Sequence, residues 1–364
     1  MRRRTAAEAG LTTAEAAAYD AVFANFDRDT GVRDALLSKT NEAAFAALYD
    51  QFLPDYQGGL FNVLATASEA TGRAIEEEQS LLSREGVRVW TQEIAFMVKR
   101  DLGRSAGFDA DGFGLAAGME APDTSLGTLG LLTSFVSVNV DEDGASAAES
   151  LTGSVFSAGV YWSETAGGLT ANLGLTGGYA SMKGKRTLLD ADEELQRTAE
   201  SDWKGATLAG HANVSYTLAA GAFYAKPQLT ADYFLFKEDG RTETGGGDSM
   251  NLIIEDRSSS QLAAFAGVTF GAKFGEESAW IWAPEVTAGW RQVSGDGADV
   301  TTARFVAGGP SFSLSAPEIE GGGAVVRVGL RGQGEYFDFA IEAGGEMRDD
   351  YEVYDGRIVA RFLF

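Results

Sequence analysis

The chemically most versatile side chain in this sequence is its one histidine, His211, with Ser215 four residues further on and no cysteine anywhere. Four strand residues span about 13 Å, beyond the hydrogen-bond reach that a nucleophile and its base require. A hydrolase would have to assemble its site from other strands, and an inward-facing histidine bonded to its neighbours is the simpler reading. Gly247-Asp248-Ser249 offers a serine in a Gly-rich loop without a following helix or a histidine partner. Gly245-Gly246-Gly247 and Gly321-Gly322-Gly323 lack the strand, loop and helix of a phosphate cradle. Glu238-Asp239, and Asp296 with Asp299, have the oxygen chemistry for Ca²⁺ or for divalent-bridged lipopolysaccharide, but solvated loop charge accounts for them. The sequence therefore assigns no catalytic residue, no metal site and no cofactor.

Two kinds of element position these residues. Up to about residue 85 the chain is rich in Ala and Glu, with Phe45, Leu48 and Phe52 at helical spacing. After Pro54 and Gly58-Gly59 a second helical stretch, residues 60–82, carries the small residues Ala65, Ala67, Ser68, Ala70, Thr71 and Gly72. At about 1.5 Å per residue it is roughly 30 Å long, comparable to a bilayer core. It either threads a pore or packs as an ordinary helix with a small-residue face. From Val87 to the end the period is two. Around residues 206–218, for example, Leu208, Gly210, Ala212 and Val214 alternate with Ala209, His211, Asn213 and Ser215. About twelve such strands follow, most of roughly 9 to 16 residues, against the usual 5 or 6 of soluble proteins.

The connections alternate too. Short turns at 121–124, 164–168, 219–221, 275–278 and 332–335 are interleaved with longer polar segments at 103–109, 141–147, 184–202, 239–257, 294–321 and 348–355. Short turns on one rim and long loops on the other mark an outer-membrane barrel, turns in the periplasm and loops outside. Inward faces then carry charge. Arg327 and Arg331, Asp338 and Glu342, and Arg357 and Arg361 fall on three successive strands as a ladder of opposite signs. Trp162, Trp203, Trp280 and Trp290 lie near strand ends, as girdle residues do. Pro227 and Pro284 fall within strands and predict bulges, because a closed barrel has no edge to hide a missing donor. On the first strand the face of Trp90, Ile94, Phe96 and Val98 reads as lipid-facing, which also places Gln92 in lipid.

The formal charge of -24 argues against nucleic acid, whose phosphates it would repel. The absence of cysteine suits an oxidising compartment. No apolar run approaches the roughly 20 residues of a membrane helix, although barrel strands give only a weak alternating signal. Met1-Arg2-Arg3-Arg4 is not followed by an apolar stretch, so a barrel that must be exported is expected to have an upstream part.

These residues resemble the translocator domain of the classical autotransporters, the type V secreted proteins. The likeness covers roughly residues 55–364: the narrow segment at 60–82, a first strand at Val89-Trp90-Thr91-Gln92, about twelve strands, and a last strand ending Arg361-Phe362-Leu363-Phe364. The resemblance implies an all-β fold, a transmembrane barrel of about 12 antiparallel strands over 86–364. Ahead of it lie a helical extension or passenger remnant (1–59) and a pore-threading linker helix (60–85). It implies a monomeric, non-enzymatic outer-membrane barrel that exports or anchors an N-terminal passenger. Its partners would be outer-membrane lipid and lipopolysaccharide, the barrel-assembly machinery, periplasmic chaperones and its own passenger. Phe364, Phe362, Ala360 and Ile358 occupy the positions of the family's assembly signal. Some members cleave their passenger at adjacent asparagines; Asn62 is followed here by Val63, so self-cleavage is not expected. Residues 1–55 are too short and too helical to resemble the usual β-solenoid passenger. The rival readings are an open diffusion channel and a soluble β-sandwich adhesin.

Overall fold

The computed structural model describes residues 5–56, 58–76, 87–101, 107–124, 126–143, 148–190, 192, 194–275, 280–297, 300–315 and 321–364. Its dominant feature follows from the period of two. Twelve long strands form one antiparallel sheet closed on itself. They are β1 (Arg88–Arg100), β2 (Gly107–Thr124), β3 (Gly127–Asp143), β4 (Ala148–Ala166), β5 (Leu169–Asp190), β6 (Leu195–Tyr216), β7 (Phe223–Glu238), β8 (Arg257–Ala272), β9 (Ile281–Gly297), β10 (Gly321–Gln333), β11 (Phe337–Met347) and β12 (Tyr351–Leu363). Each pairs with its chain neighbour, and β1 pairs with β12 without a break from Arg88↔Leu363 to Arg100↔Tyr351. A soluble sandwich would leave edges and bury both apolar faces. Here the outward residues Leu115, Leu131, Phe135, Leu173, Leu229, Phe270 and Val328 stay exposed, forming the apolar band that lipid requires.

Several expectations change. Segment 184–202 is not a loop: β5 and β6 run 22 residues each and carry their pairing to Asp190↔Leu195, well beyond a bilayer's needs. Segment 348–355 shrinks to a tight turn in which Arg348 N–H donates to the Tyr351 carbonyl. Segments 239–257 and 294–321 fold into a second sheet of short strands, Arg241–Thr242, Leu252–Ile254, Thr301–Phe305 and Phe312–Leu314. Pro227 and Pro284 cause no bulge. Pairing of β7 with β6 breaks after Ser215↔Gln228 and resumes at Leu218↔Ala225, and that of β9 with β8 breaks after Gly271↔Glu285 and resumes at Phe274↔Trp282, both in unchanged register, so each ring nitrogen falls in a short gap of the ladder where no donor is needed. Trp203 is not a girdle residue; it points inward and donates to Glu238 at 3.0 Å.

The face assignment of β1 is reversed. Trp90, Gln92, Ile94, Phe96 and Val98 are buried and face inward, and Val89, Thr91 and Met97 face out. The reason lies in what fills the lumen. Helix α5 (Gly59–Gly72) runs down the barrel axis and turns β1's inner face into a hydrophobic core. It spans 14 residues, about 21 Å at helical rise, shorter than the sequence suggested; residues 77–85 of the expected linker lie outside the described residues.

Ahead of α5, helices α1 (Thr13–Ala17), α2 (Tyr19–Ala24), α3 (Thr30–Ser38) and α4 (Glu42–Asp50) form a small cap on the long-strand rim. A Thr12–Glu15 capping box starts α1, and Asp29 and Asn41 cap α3 and α4, satisfying orphan backbone donors. Their apolar faces bury Val22, Leu36, Tyr49 and Phe52 against Leu188, Leu252, Phe305 and Leu314 of the strand extensions and loop sheet.

Candidate functional site: the helix in the lumen

Helix α5 has two regimes. Its upper part, near the cap, is apolar: Leu60, Phe61, Val63 and Leu64 pack on Phe96, Phe108, Val138, Met182 and Phe234. Fit is tight, since a Cβ added at Gly59 would lie 2.9 Å from Val140 Cγ1. The lower part is ionic. Glu69 in the last turn of α5, Arg73 at its C-cap and Glu76 at the end of the tight turns that follow come at spacings of four and three. Each meets the opposite charge on the wall: Glu69 pairs with Arg291, Arg73 with Asp355 and with Glu342 at 3.7 Å, and Glu76 with His211 Nε2 at 3.1 Å. Arg291 also reaches Glu346 at 3.6 Å, and Arg357 bonds both Glu342 (3.0 Å) and the Arg73 carbonyl (3.1 Å).

Gln92, placed in lipid by the sequence pattern, donates to the Ala70 carbonyl at 2.9 Å and accepts from Arg357. Below it Ala74 and Ile75 sit in a cluster with Trp90, Leu132 and Tyr161. There Trp90 Nε1 donates to the Tyr161 hydroxyl, which donates to Glu120, itself 2.9 Å from Arg88 and 3.7 Å from Arg361.

The residues singled out from sequence fall as follows. Ala65, Ala67, Ala70 and Thr71 are buried between helix and wall, and Ser68 and Gly72 are partly exposed. Gly72 lies so close to His211 that a Cβ would approach Nδ1 to 2.7 Å. Arg327, Glu342 and Arg357 converge on the helix; Arg331 engages Glu285 at 2.9 Å instead, and Asp338 accepts from Gln333. Ile358, Phe362 and Phe364 face outward and Ala360 is partly exposed. Missed from sequence were Glu69, Arg73 and Glu76, whose only signal was three charges at i, i+4 and i+7 in a small-residue segment, and their partners Arg291 and Asp355.

Both ring nitrogens of His211 face carboxylates, Asp232 at 2.6 Å and Glu76 at 3.1 Å, leaving neither to serve Ser215 as a base. Ser249 donates to Asp29 of the cap at 2.5 Å, which gives that loop serine a docking role. Beside the helix the lumen keeps a polar cavity of about 60 Å³ among Arg73, Lys226, Asp232, Arg327 and Arg331. That is room for a few waters.

The cap is held by its own ions. Arg186 bonds Glu243 and the Gln51 carbonyl, and Lys39 lies 2.7 Å from Asp190 and 2.9 Å from Asp192. Burial works against ionised Asp29, but bonds from Arg197, Ser249 and the Val32 amide outweigh it and hold its carboxyl at about 2. Asp50 goes the other way: burial, then repulsion from Glu15, push it up to about 7. With a folded value above the roughly 3.9 of an unfolded chain, its contribution to cap stability is full below pH 4 and lost as pH rises through 7. Protease resistance of residues 13–53 is thus expected to be higher at pH 5 than at pH 8. The Asp50→Asn variant should flatten that difference, and an unchanged pH response would exclude this residue as its source.

A family model described as the autotransporter beta-domain matches residues 89–335. Among solved structures, the translocator domain of the autotransporter NalP from Neisseria meningitidis is 14% identical, with 85% of this chain and 98% of that one covered, at a TM-score of 0.62. The beta domain of the Bordetella autotransporter BrkA is 13% identical, covering 77% and 100%, at a TM-score of 0.55. The transport unit of AIDA-I from Escherichia coli is 15% identical, covering 85% and 100%, at a TM-score of 0.53. No curated protein sequence matches the chain.

Proposed function

The chain belongs to the autotransporter beta-domain family, and from that membership we propose that α5 is the retained end of the exported segment and keeps the barrel shut after export. As a member of the family the protein is an outer-membrane translocator barrel that serves passenger export. In this reading residues 60–85 are the linker left in the pore, residues 1–59 stand outside with the cap docked on the rim, and residues 86–364 are the translocator. The protein acts mechanically and not as an enzyme.

One observation carries the reading: a helix and the turn after it, whose apolar half and three alternating charges are each matched by the wall. A diffusion channel has no use for such a match. Planar-bilayer recording separates the two. The intact protein should be electrically silent, and deletion of residues 59–76 should give a steady conductance. A large conductance in the intact protein, unchanged by the deletion, would mean an open channel.

Assembly has its own test. Phe364, Phe362, Ala360 and Ile358 line one outward face of β12, where a barrel-assembly machinery reading the last strand would find them, with chaperones escorting the unfolded chain and a monomer as product. Removing Phe364, which packs little and is 80% exposed, should lower the amount inserted in the outer membrane while refolding into detergent in vitro stays normal. Equal insertion in cells would rule out a signal role.

A further inference from the structure

Between the cap and α5 the chain crosses the long-strand rim, and the rim holds it there largely by its backbone. Arg186 of β5 donates to the Gln51 carbonyl at 2.7 Å, and Arg257 of β8 and Thr301 donate to the Asp55 carbonyl at 3.4 and 3.3 Å. The Leu189 amide donates to the Gln51 side chain at 2.8 Å. Both guanidiniums are oriented from the wall side by a carboxylate that takes two of their N–H groups, Glu243 for Arg186 and Glu238 for Arg257. Trp203 Nε1 donates to Glu238, and Arg241 Cζ lies 3.8 Å from the Trp203 ring centre. On β5, Arg186 stands well past the roughly 9–11 residues of a tilted membrane crossing, so this clamp lies outside the bilayer.

The charges of the clamp do not balance. Asp55, Glu149, Glu238 and Glu243 face Arg186, Arg241 and Arg257, four carboxyl groups to three guanidiniums, and all seven side chains are buried. Glu149 is the odd one. It sits opposite Arg186 in the register of β4 and β5, but that guanidinium is engaged by Glu243 and by the Gln51 and Met250 carbonyls. Among the described residues Glu149 makes no hydrogen bond and no ion pair. The other charges packed against it are Asp55 from the linker and Arg241 and Glu243 from the segment after β7, with Glu238 and Arg257 behind them. Burial, then repulsion from Asp55 and Glu243, pushes its carboxyl up to about 8 against the attraction of Arg186 and Arg241. With residues 51–56 lifted away, Asp55 is gone and water enters. Three carboxylates then match three guanidiniums, and the Arg186 N–H that held Gln51 is free for Glu149.

We propose that seating of residues 51–56 in the outer mouth is coupled to the uptake of one proton from the medium by Glu149, so that acid tightens this latch and alkali loosens it. The inference rests on the reading of residues 60–85 as the segment left in the pore. A solvated Glu149 titrates near the ordinary value of about 4.3, below its seated one. Its contribution to seating is therefore full below about pH 4 and is lost as pH rises toward 8, by about tenfold per unit in the seating equilibrium.

The test is amide hydrogen exchange of residues 51–56 in the full-length protein in detergent, read by mass spectrometry with the intrinsic pH dependence of exchange divided out. Asp50 titrates in the same cap and in the same direction, so the parent carries Asp50→Asn. Between pH 5 and 7 protection in this parent should fall about a hundredfold. Adding Glu149→Gln, which has the shape of the protonated acid, should keep protection high and flat. Heat-modifiable migration shows that each variant keeps its barrel. An equal slope with and without Glu149→Gln, a flat profile in the parent, or low protection at every pH in the Glu149→Gln protein would each overturn the latch. Bilayer recording keeps the two readings apart. Silence should persist to pH 8 while protection falls, because α5 is anchored separately in the lumen; conductance at pH 5, with the latch seated, would refute the plug and not the latch.

Discussion

Replacing Arg73 by Glu is expected to open the barrel. The substitution puts a third carboxylate beside Glu342 and Asp355 in the lumen, where Arg73 now pairs with both. Breaking a buried ion pair by removing one partner costs about 3–5 kcal/mol, which is more than two orders of magnitude in the occupancy of the closed state. The apolar upper half of α5 should stay in place, because Leu60 and Phe61 keep their contacts. The lower turn then swings free, and bilayer recordings should show flickering steps in place of silence. Adding Asp355→Arg, which restores an opposite charge at the same place, should return the channel part of the way to closure. A silent R73E protein would show that packing alone holds the helix, and the charge match would lose its functional meaning.

Phe52→Ala should release the cap without touching the barrel. Phe52 is 1% exposed in the turn after α4, within the core that joins Leu36 and Tyr49 to Leu188, Leu252 and Phe305. Truncating a buried Phe costs about 3–5 kcal/mol through lost contacts and the cavity left behind, more than a docking interface of this size can absorb. Trypsin should then cut at Arg28, Arg33 and Lys39, which stay protected in the parent protein. Heat-modifiable migration and electrical silence should persist, since α5 is anchored separately by the wall. Unchanged protease resistance would mean that the ionic contacts of Lys39 and Asp29 suffice to hold the cap.

The contrast between those two cores explains what the sequence hid. On β12 the alternation of Ile358, Ala360 and Phe362 with Arg357, Val359 and Arg361 is local, and lipid on one side with charge on the other makes it readable. On β1 the same rule failed. Its inner face must match an apolar helix, so Trp90, Ile94, Phe96 and Val98 imitate a lipid face, and Gln92 looked misplaced until the Ala70 carbonyl supplied its partner. The prolines misled for a related reason. Whether a strand nitrogen needs an acceptor depends on the neighbour's ladder at that one rung, and Pro227 and Pro284 fall in short gaps of ladders that continue in register on either side.

By itself, then, the sequence determined the barrel, its approximate number of strands and the helical start, because each is written in a period of two or 3.6 along a few residues. The tertiary structure decided the rest. Glu69, Arg73 and Glu76 are an unremarkable helical charge row until the closed wall sets Arg291, Asp355 and His211 against them. Leu252 and Phe305 are loop residues until two distant loops pair into one sheet. Those contacts join segments tens to hundreds of residues apart, and the sign or shape of a side chain carries no record of which distant partner will meet it.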